Sequence, residues 1–130
     1  MTVEGKVAEP FGPLVSQWFQ KPSQGKKKRL DLLCESLGLD QGKVLPIRYQ
    51  LLHRTASAII EAKRFNAQNA LMLVHTFSPP NEWFDDFDMF ASLYNTQAEL
   101  NKIKFAGGLN GIDLCIGWIK GKNSLFQQIQ

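Results

Sequence analysis

Two hydrophobic periods succeed one another between positions 46 and 80, where the chain reads PIRYQLLHRTASAIIEAKRFNAQNALMLVHTFSPP. In the first half Tyr49, Leu52, Ala56, Ile59 and Ile60 recur at helical spacing, and Leu51, Ala58 and Ala62 widen that stripe. Pro46 stands just ahead of it, where proline is tolerated because early helix N–H groups have no intrahelical partner. Asn66 is a fitting C-terminal stop. The spacing predicts one long helix covered over most of its circumference. From Ala70 to Val74 every position is apolar, which predicts a central strand buried on both faces, ended by Ser78-Pro79-Pro80.

The flanking pattern completes an α/β arrangement. Thr2 to Val7 reads as a strand, with Val3, Gly5 and Val7 facing one way and Glu4 and Lys6 the other. Leu14, Val15, Trp18 and Phe19 fit a short helix after Pro13. Lys26 opens a second helix with Leu30, Leu33, Cys34 and Leu37 inward and Gly38 as its stop. Residues 39–45 read as a connector. Trp83, Phe87, Phe90 and Tyr94 place a further amphipathic helix over 81–94, with Ser78 or Asn81 as N-cap. Residues 102–106 and 112–120 read as a hairpin whose turn is Gly107 to Gly111; Ile112, Leu114, Ile116 and Trp118 form its buried face. The expected fold is a mixed sheet flanked by helices. The tail from Lys122 onward is polar and expected to fray, apart from Leu125 and Phe126.

Composition narrows the class. At 130 residues the chain is one domain, 1–130, and 44% hydrophobic content with nine Phe and three Trp supplies a real core. A net charge of +3 permits an anionic partner without demanding one. Cys34 and Cys115 have no metal-ligand or redox spacing and read as buried thiols of a cytoplasmic protein. No segment is long and apolar enough to span a membrane, and no signal peptide is evident.

Candidate chemistry centres on two Glu-x-Lys triplets. Glu61-Ala62-Lys63 lies in the long helix, where residues two apart point to different sides, so it reads as surface charge. Glu4-Gly5-Lys6 lies on a strand, where residues two apart share a face. There a carboxylate can ligate Mg²⁺, and an ammonium can position water or stabilise developing negative charge. Gly5 permits close backbone approach, so its carbonyl can also reach a metal. On the long helix Gln50, Arg54, Ser57 and Glu61 share one stripe, with His53 and Thr55 adjacent. Arg54 suits a phosphate in its fork geometry, or else pairs with Glu4 or a buried backbone group together with Gln50. The run Lys26-Lys27-Lys28-Arg29 is either a solvated face or a phosphate contact through Lys27. His75 reads as a core-edge histidine.

The stretches VEGKVAEPFGP, PIRYQLLHRTASAIIEAKRF, LMLVHTFSP and WFDDF resemble an uncharacterised bacterial domain family related to the PD-(D/E)xK, restriction-endonuclease-like superfamily. The resemblance covers nearly the whole chain. It implies that Glu4 and Lys6 correspond to the second acidic residue and the lysine of the nuclease signature, with Gln50 and Arg54 flanking the cleft. It implies a Mg²⁺ site at Glu4 and Gly5 and DNA as partner. In that superfamily an Asp on the other arm of a hairpin precedes the Glu-x-Lys strand. Here Met1 stands just upstream, so the expectation is a core lacking its first hairpin, silent by itself, and associating with a second copy through its N-terminal strand. Asp113, on the C-terminal hairpin, is the carboxylate that could take that role. Two further readings stand beside the nuclease. One is a non-catalytic binding or assembly module of the same fold. The other is a globular domain whose Glu4–Lys6 pair is a surface salt bridge, worth at most about 1 kcal/mol.

Overall fold

The computed structural model describes residues 2–6, 11–76 and 83–120. In chain order they form β1 (Thr2–Lys6), α1 (Val15–Trp18), α2 (Gln24–Leu37), α3 (Gln41–Val44), α4 (Tyr49–Arg64), β2 (Asn69–Thr76), α5 (Phe84–Ser92), β3 (Lys102–Leu109) and β4 (Ile112–Lys120). The strands build one sheet in the order β1-β2-β4-β3. The apolar run at 70–74 lies inside it, with β1 and β4 both parallel to β2 and β3 antiparallel to β4. A parallel neighbour on each side requires a long crossover, and here the crossovers are helical. This is an α/β mixed sheet flanked by helices.

Register shows which face the helices cover. Ala70, Met72 and Val74 stand opposite Leu114, Ile116 and Trp118. These residues belong to the buried cluster that also holds Leu30, Leu37, Leu52, Ile59, Phe87 and Phe90 from α2, α4 and α5. Trp118, 1% exposed, is its largest member. Its ring meets Phe11 at 6.2 Å, Phe84 at 5.3 Å and Phe87 at 5.5 Å, edge-on or tilted, as aromatic quadrupoles prefer. One side chain thus ties the segment after β1, helix α5 and the sheet together.

The helices follow their sequence signals with informative departures. Helix α2 begins at Gln24, two residues earlier than its basic run suggests, because the Ser23 hydroxyl accepts the Lys26 N–H at 3.2 Å. Its inward stripe is Leu30, Leu33, Cys34 and Leu37, and Gly38 closes it at φ +66°. The connector 39–45 contains the short helix α3. On α4 the stripe is rotated: Ile60 is 46% exposed, whereas Thr55 is fully buried and donates its hydroxyl to the Leu51 carbonyl at 2.7 Å. Helix α5 starts at Phe84 rather than Asn81, since Trp83 takes a left-handed conformation at φ +65°. Ser78, Asn81 and the tail from Lys122 lie outside the described residues. The hairpin is longer than its glycines imply. Only Asn110 and Gly111, with φ +54° and +83°, make the turn, while Gly107 and Gly108 lie in β3 beside a register shift after Phe105. Among the described residues no helix is long and apolar enough to cross a membrane.

The hairpin alternation holds for Ile112, Leu114, Ile116 and Trp118, yet Gly117 and Ile119 are buried as well, so β4 is covered on both faces at this end. A Cβ on Gly117 would lie 2.9 Å from Leu73 Cδ1, 3.1 Å from Ile103 Cγ1 and 3.2 Å from the Lys102 carbonyl oxygen. The backbone oxygen cannot rotate away. Gly117→Ala is therefore expected to destabilise the fold by about 1–3 kcal/mol through overpacking. The readout is a lower urea midpoint at unchanged m; an unchanged midpoint would show that Leu73 and Ile103 yield freely.

Candidate functional site

Helix α4 begins without a side-chain cap, and tertiary structure supplies one. The Tyr49 N–H donates to the Pro13 carbonyl at 2.9 Å and the Gln50 N–H to the Phe11 carbonyl at 3.2 Å. Arg48 holds the same joint: its Nη1 donates to the Gly12 carbonyl at 3.1 Å and its Nε to Asp86 Oδ2 at 3.2 Å. Orphan N–H groups of the first helical turn are thus satisfied by the segment that follows β1. Gly12, at φ +75°, lies directly on Gln50; a Cβ there would sit 3.1 Å from Gln50 Nε2. Arg48 was not evident from sequence as a functional position. Its signal is faint, a cation at the entry to a helix whose first turn carries no acidic residue.

This joint lies at a particular end of the sheet. The short turn after Arg64 returns the chain into β2, so the N-terminal turn of α4 sits by the carboxyl ends of the parallel strands, where Lys6, Thr76 and Lys120 close β1, β2 and β4. Open α/β sheets bind ligands beyond that edge. Of the residues singled out from the sequence, Glu4 stands opposite Val74 and Lys6 opposite Thr76. Gly5 stands opposite His75. Helix α4 packs against β1. Gln50 and Arg54, one turn apart, are half-buried, and Gln50 Oε1 and Arg54 Nη1 are turned out of solvent. Among the described residues Gln50 Oε1 accepts no hydrogen bond, and the buried Trp118 Nε1 donates none. Each such atom costs about 1–3 kcal/mol if left dry. Arg54 and His75 are engaged by contacts within the fold.

The remainder of the polar stripe leaves this group. The Ser57 hydroxyl donates to the His53 carbonyl at 2.9 Å, and Glu61 pairs with Arg64 at 3.8 Å on the exposed end of α4. Lys27 is exposed on α2. Asp113 stands opposite Asn69, at the start of β2, whereas Glu4 stands opposite Val74 near its end. Five residues of extended strand separate those rows by about 16 Å, so Asp113 cannot share an ion with Glu4. Among the described residues no group of three or more His, Cys, Asp or Glu converges as a metal would require.

Four titratable groups outside this site are shifted by their surroundings. Burial, then Asp31 and Asp40, push the Cys34 thiol up; burial, then Asp113, push the Cys115 thiol up. Both thiols stay protonated and weakly nucleophilic at neutral pH. Burial raises the Tyr94 phenol, whose hydroxyl donates to the Leu37 carbonyl at 2.9 Å. Glu99 is held below the usual carboxylate range, first by its hydrogen bond from Lys104 and then by Lys102.

No curated protein and no solved structure matches the chain. The family model described as Domain of unknown function (DUF6946) matches residues 1–123. That range takes in the Glu-x-Lys strand, the α4 joint and the whole sheet, and the chain belongs to this domain family.

Proposed function

We propose that this domain is a PD-(D/E)xK nuclease-like module, bacterial and cytoplasmic, that binds nucleic-acid phosphodiester at the carboxyl end of its sheet and is silent in cleavage as this chain. One observation carries the reading. The Glu4-Gly5-Lys6 strand pairs with the central strand, and the helix packed on it turns Gln50 Oε1 and Arg54 Nη1 inward, against the ordinary preference of such groups for water. Arg54 is the phosphate-binding group, and Gln50 offers a buried acceptor to a ligand hydroxyl or water. Mg²⁺, when bound at Glu4 and the Gly5 carbonyl, would neutralise charge on the phosphate. In a full-length parent that hydrolyses phosphodiesters, Lys6 would orient the attacking water and stabilise the oxygen that gains charge. With one carboxylate in the set and Asp113 remote, the ion is held weakly.

Arg54→Ala is expected to weaken binding of short DNA about tenfold, and Lys at this position to restore it only in part, because the fork geometry is lost. With Mg²⁺ or Mn²⁺, cleavage of single- and double-stranded DNA should stay at background. Metal-dependent cleavage abolished by Lys6→Ala would overturn the silent reading, and DNA affinity indifferent to Arg54→Ala would overturn the site.

The sheet order leaves β1 at an edge, paired with β2 on one side among the described strands. An edge of unpaired backbone groups is a template for a second chain, and two copies of one edge can pair about a two-fold axis. A second copy of this domain docked through β1 is the proposed assembly. Light scattering at micromolar concentration should then report a mass above the 14.7 kDa of one chain; a monomer at every concentration would refute it.

A further inference from the structure

The end of α1 and the start of α4 assemble a column of rings. Phe19 and Trp18 stack at 6.0 Å and 28°, Trp18 and Tyr49 at 4.3 Å and 24°, and Tyr49 and His53 at 6.0 Å and 28°. Three of the four are half-buried; His53, the terminal ring, is exposed. Tyr49 and His53 are one helical turn apart on α4, which brings their rings into offset contact. Packing explains Trp18 and Tyr49. It does not explain an imidazole laid on the end of the column in contact with water.

Charge accompanies the rings. Lys26 Nζ lies 5.3 Å above the Trp18 ring and donates to the Trp18 carbonyl at 2.9 Å, which fixes the start of α2 beside the column. Lys27, Lys28 and Arg29 follow, all exposed, and among the described residues none of the three enters an ion pair. The first turn of α2 holds no acidic residue; Asp31, one turn on from Lys27 and Lys28, accepts a hydrogen bond from Gln41 Nε2.

We propose that single-stranded nucleic acid binds here, a base stacking on His53 at the end of the column and phosphates meeting the basic run that opens α2, whose Lys27, Lys28 and Arg29 fan around the outer side of that helix. Planar rings select a ligand with π faces, and free cations select an anionic backbone; an oligonucleotide strand carries both. A duplex hides its base faces within its own stack, so the single strand is the form that fits. The surface shares no residue with the Glu4–Lys6 pair and needs no metal, so it stands whether or not that site cuts.

The test is fluorescence anisotropy in EDTA with a labelled oligothymidylate of about 12 nucleotides, against an abasic oligomer of equal charge. The whole chain should bind oligothymidylate with a dissociation constant of order 10 µM at low salt and the abasic oligomer about tenfold more weakly. His53→Ala should remove that difference by weakening oligothymidylate alone, and His53→Phe should restore it. K27A/K28A/R29A should weaken both oligomers and flatten the logarithmic salt dependence by about two. Equal affinity of the whole chain for the two oligomers, an equal loss on both with His53→Ala, no binding at low salt, or a preference for phosphatidylserine vesicles would each overturn the proposal.

Discussion

Everything in this fold follows from one strand having parallel neighbours on both sides. β2 is apolar at five successive positions: Ala70, Met72 and Val74 lie in the helix-covered core, while on the other face Leu73 is buried and Leu71 half-buried, and its N–H and C=O groups need a strand on each edge. Parallel pairing forbids a tight turn. The chain must climb back over the sheet between β1 and β2, and again between β2 and β4. The first return is made by α1 to α4 and the second by α5 and β3, which is why the helices and the Trp118 cluster gather over the same row of β2 and β4.

That traverse also creates the candidate site. A helix returning over a parallel sheet brings its N-terminal turn to the carboxyl ends of the strands, and α4 arrives there with Gln50 and Arg54 on the buried side. The same turn is held by backbone carbonyls of Phe11 and Pro13 and by Arg48. Polar atoms are thereby fixed in a poorly solvated place on a rigid element, a condition for selective binding of a charged group.

Much of this was legible in the sequence. Period alone located α4, β2 and the inward stripe of α2, because burial imposes a strict spacing and those segments carry few competing signals. Gly38 marked a helix end, since few residues adopt left-handed backbone cheaply, whereas the stretch Gly107 to Gly111 marked a turn that the structure narrows to Asn110 and Gly111. Less legible were features set by tertiary contact. Trp83 takes φ +65° and delays α5; the exposure of Ile60 and the burial of Thr55 depend on where α2 and the sheet approach α4. The Glu4–Lys6 strand and the Gln50–Arg54 pair were nominated from alternation and helical spacing. The separation of Asp113 from Glu4 is a matter of register between strands, which no single segment encodes. The Tyr49–His53 stack was hidden for a similar reason, because it is completed by Trp18 from another helix.

The borrowed cap of α4 has a dynamic consequence. A helix that caps itself can form and fray independently; this one relies on carbonyls from Phe11 and Pro13, far from it in sequence. Opening of that segment exposes the Tyr49 and Gln50 amides together and frees the Gln50 side chain that Gly12 covers. Amide exchange at the start of α4 therefore reports the undocking of the N-terminal segment rather than ordinary end-fraying. A ligand that favours the docked segment would slow exchange at Tyr49 and Gln50 without touching either amide, so the two behave as one cooperative unit.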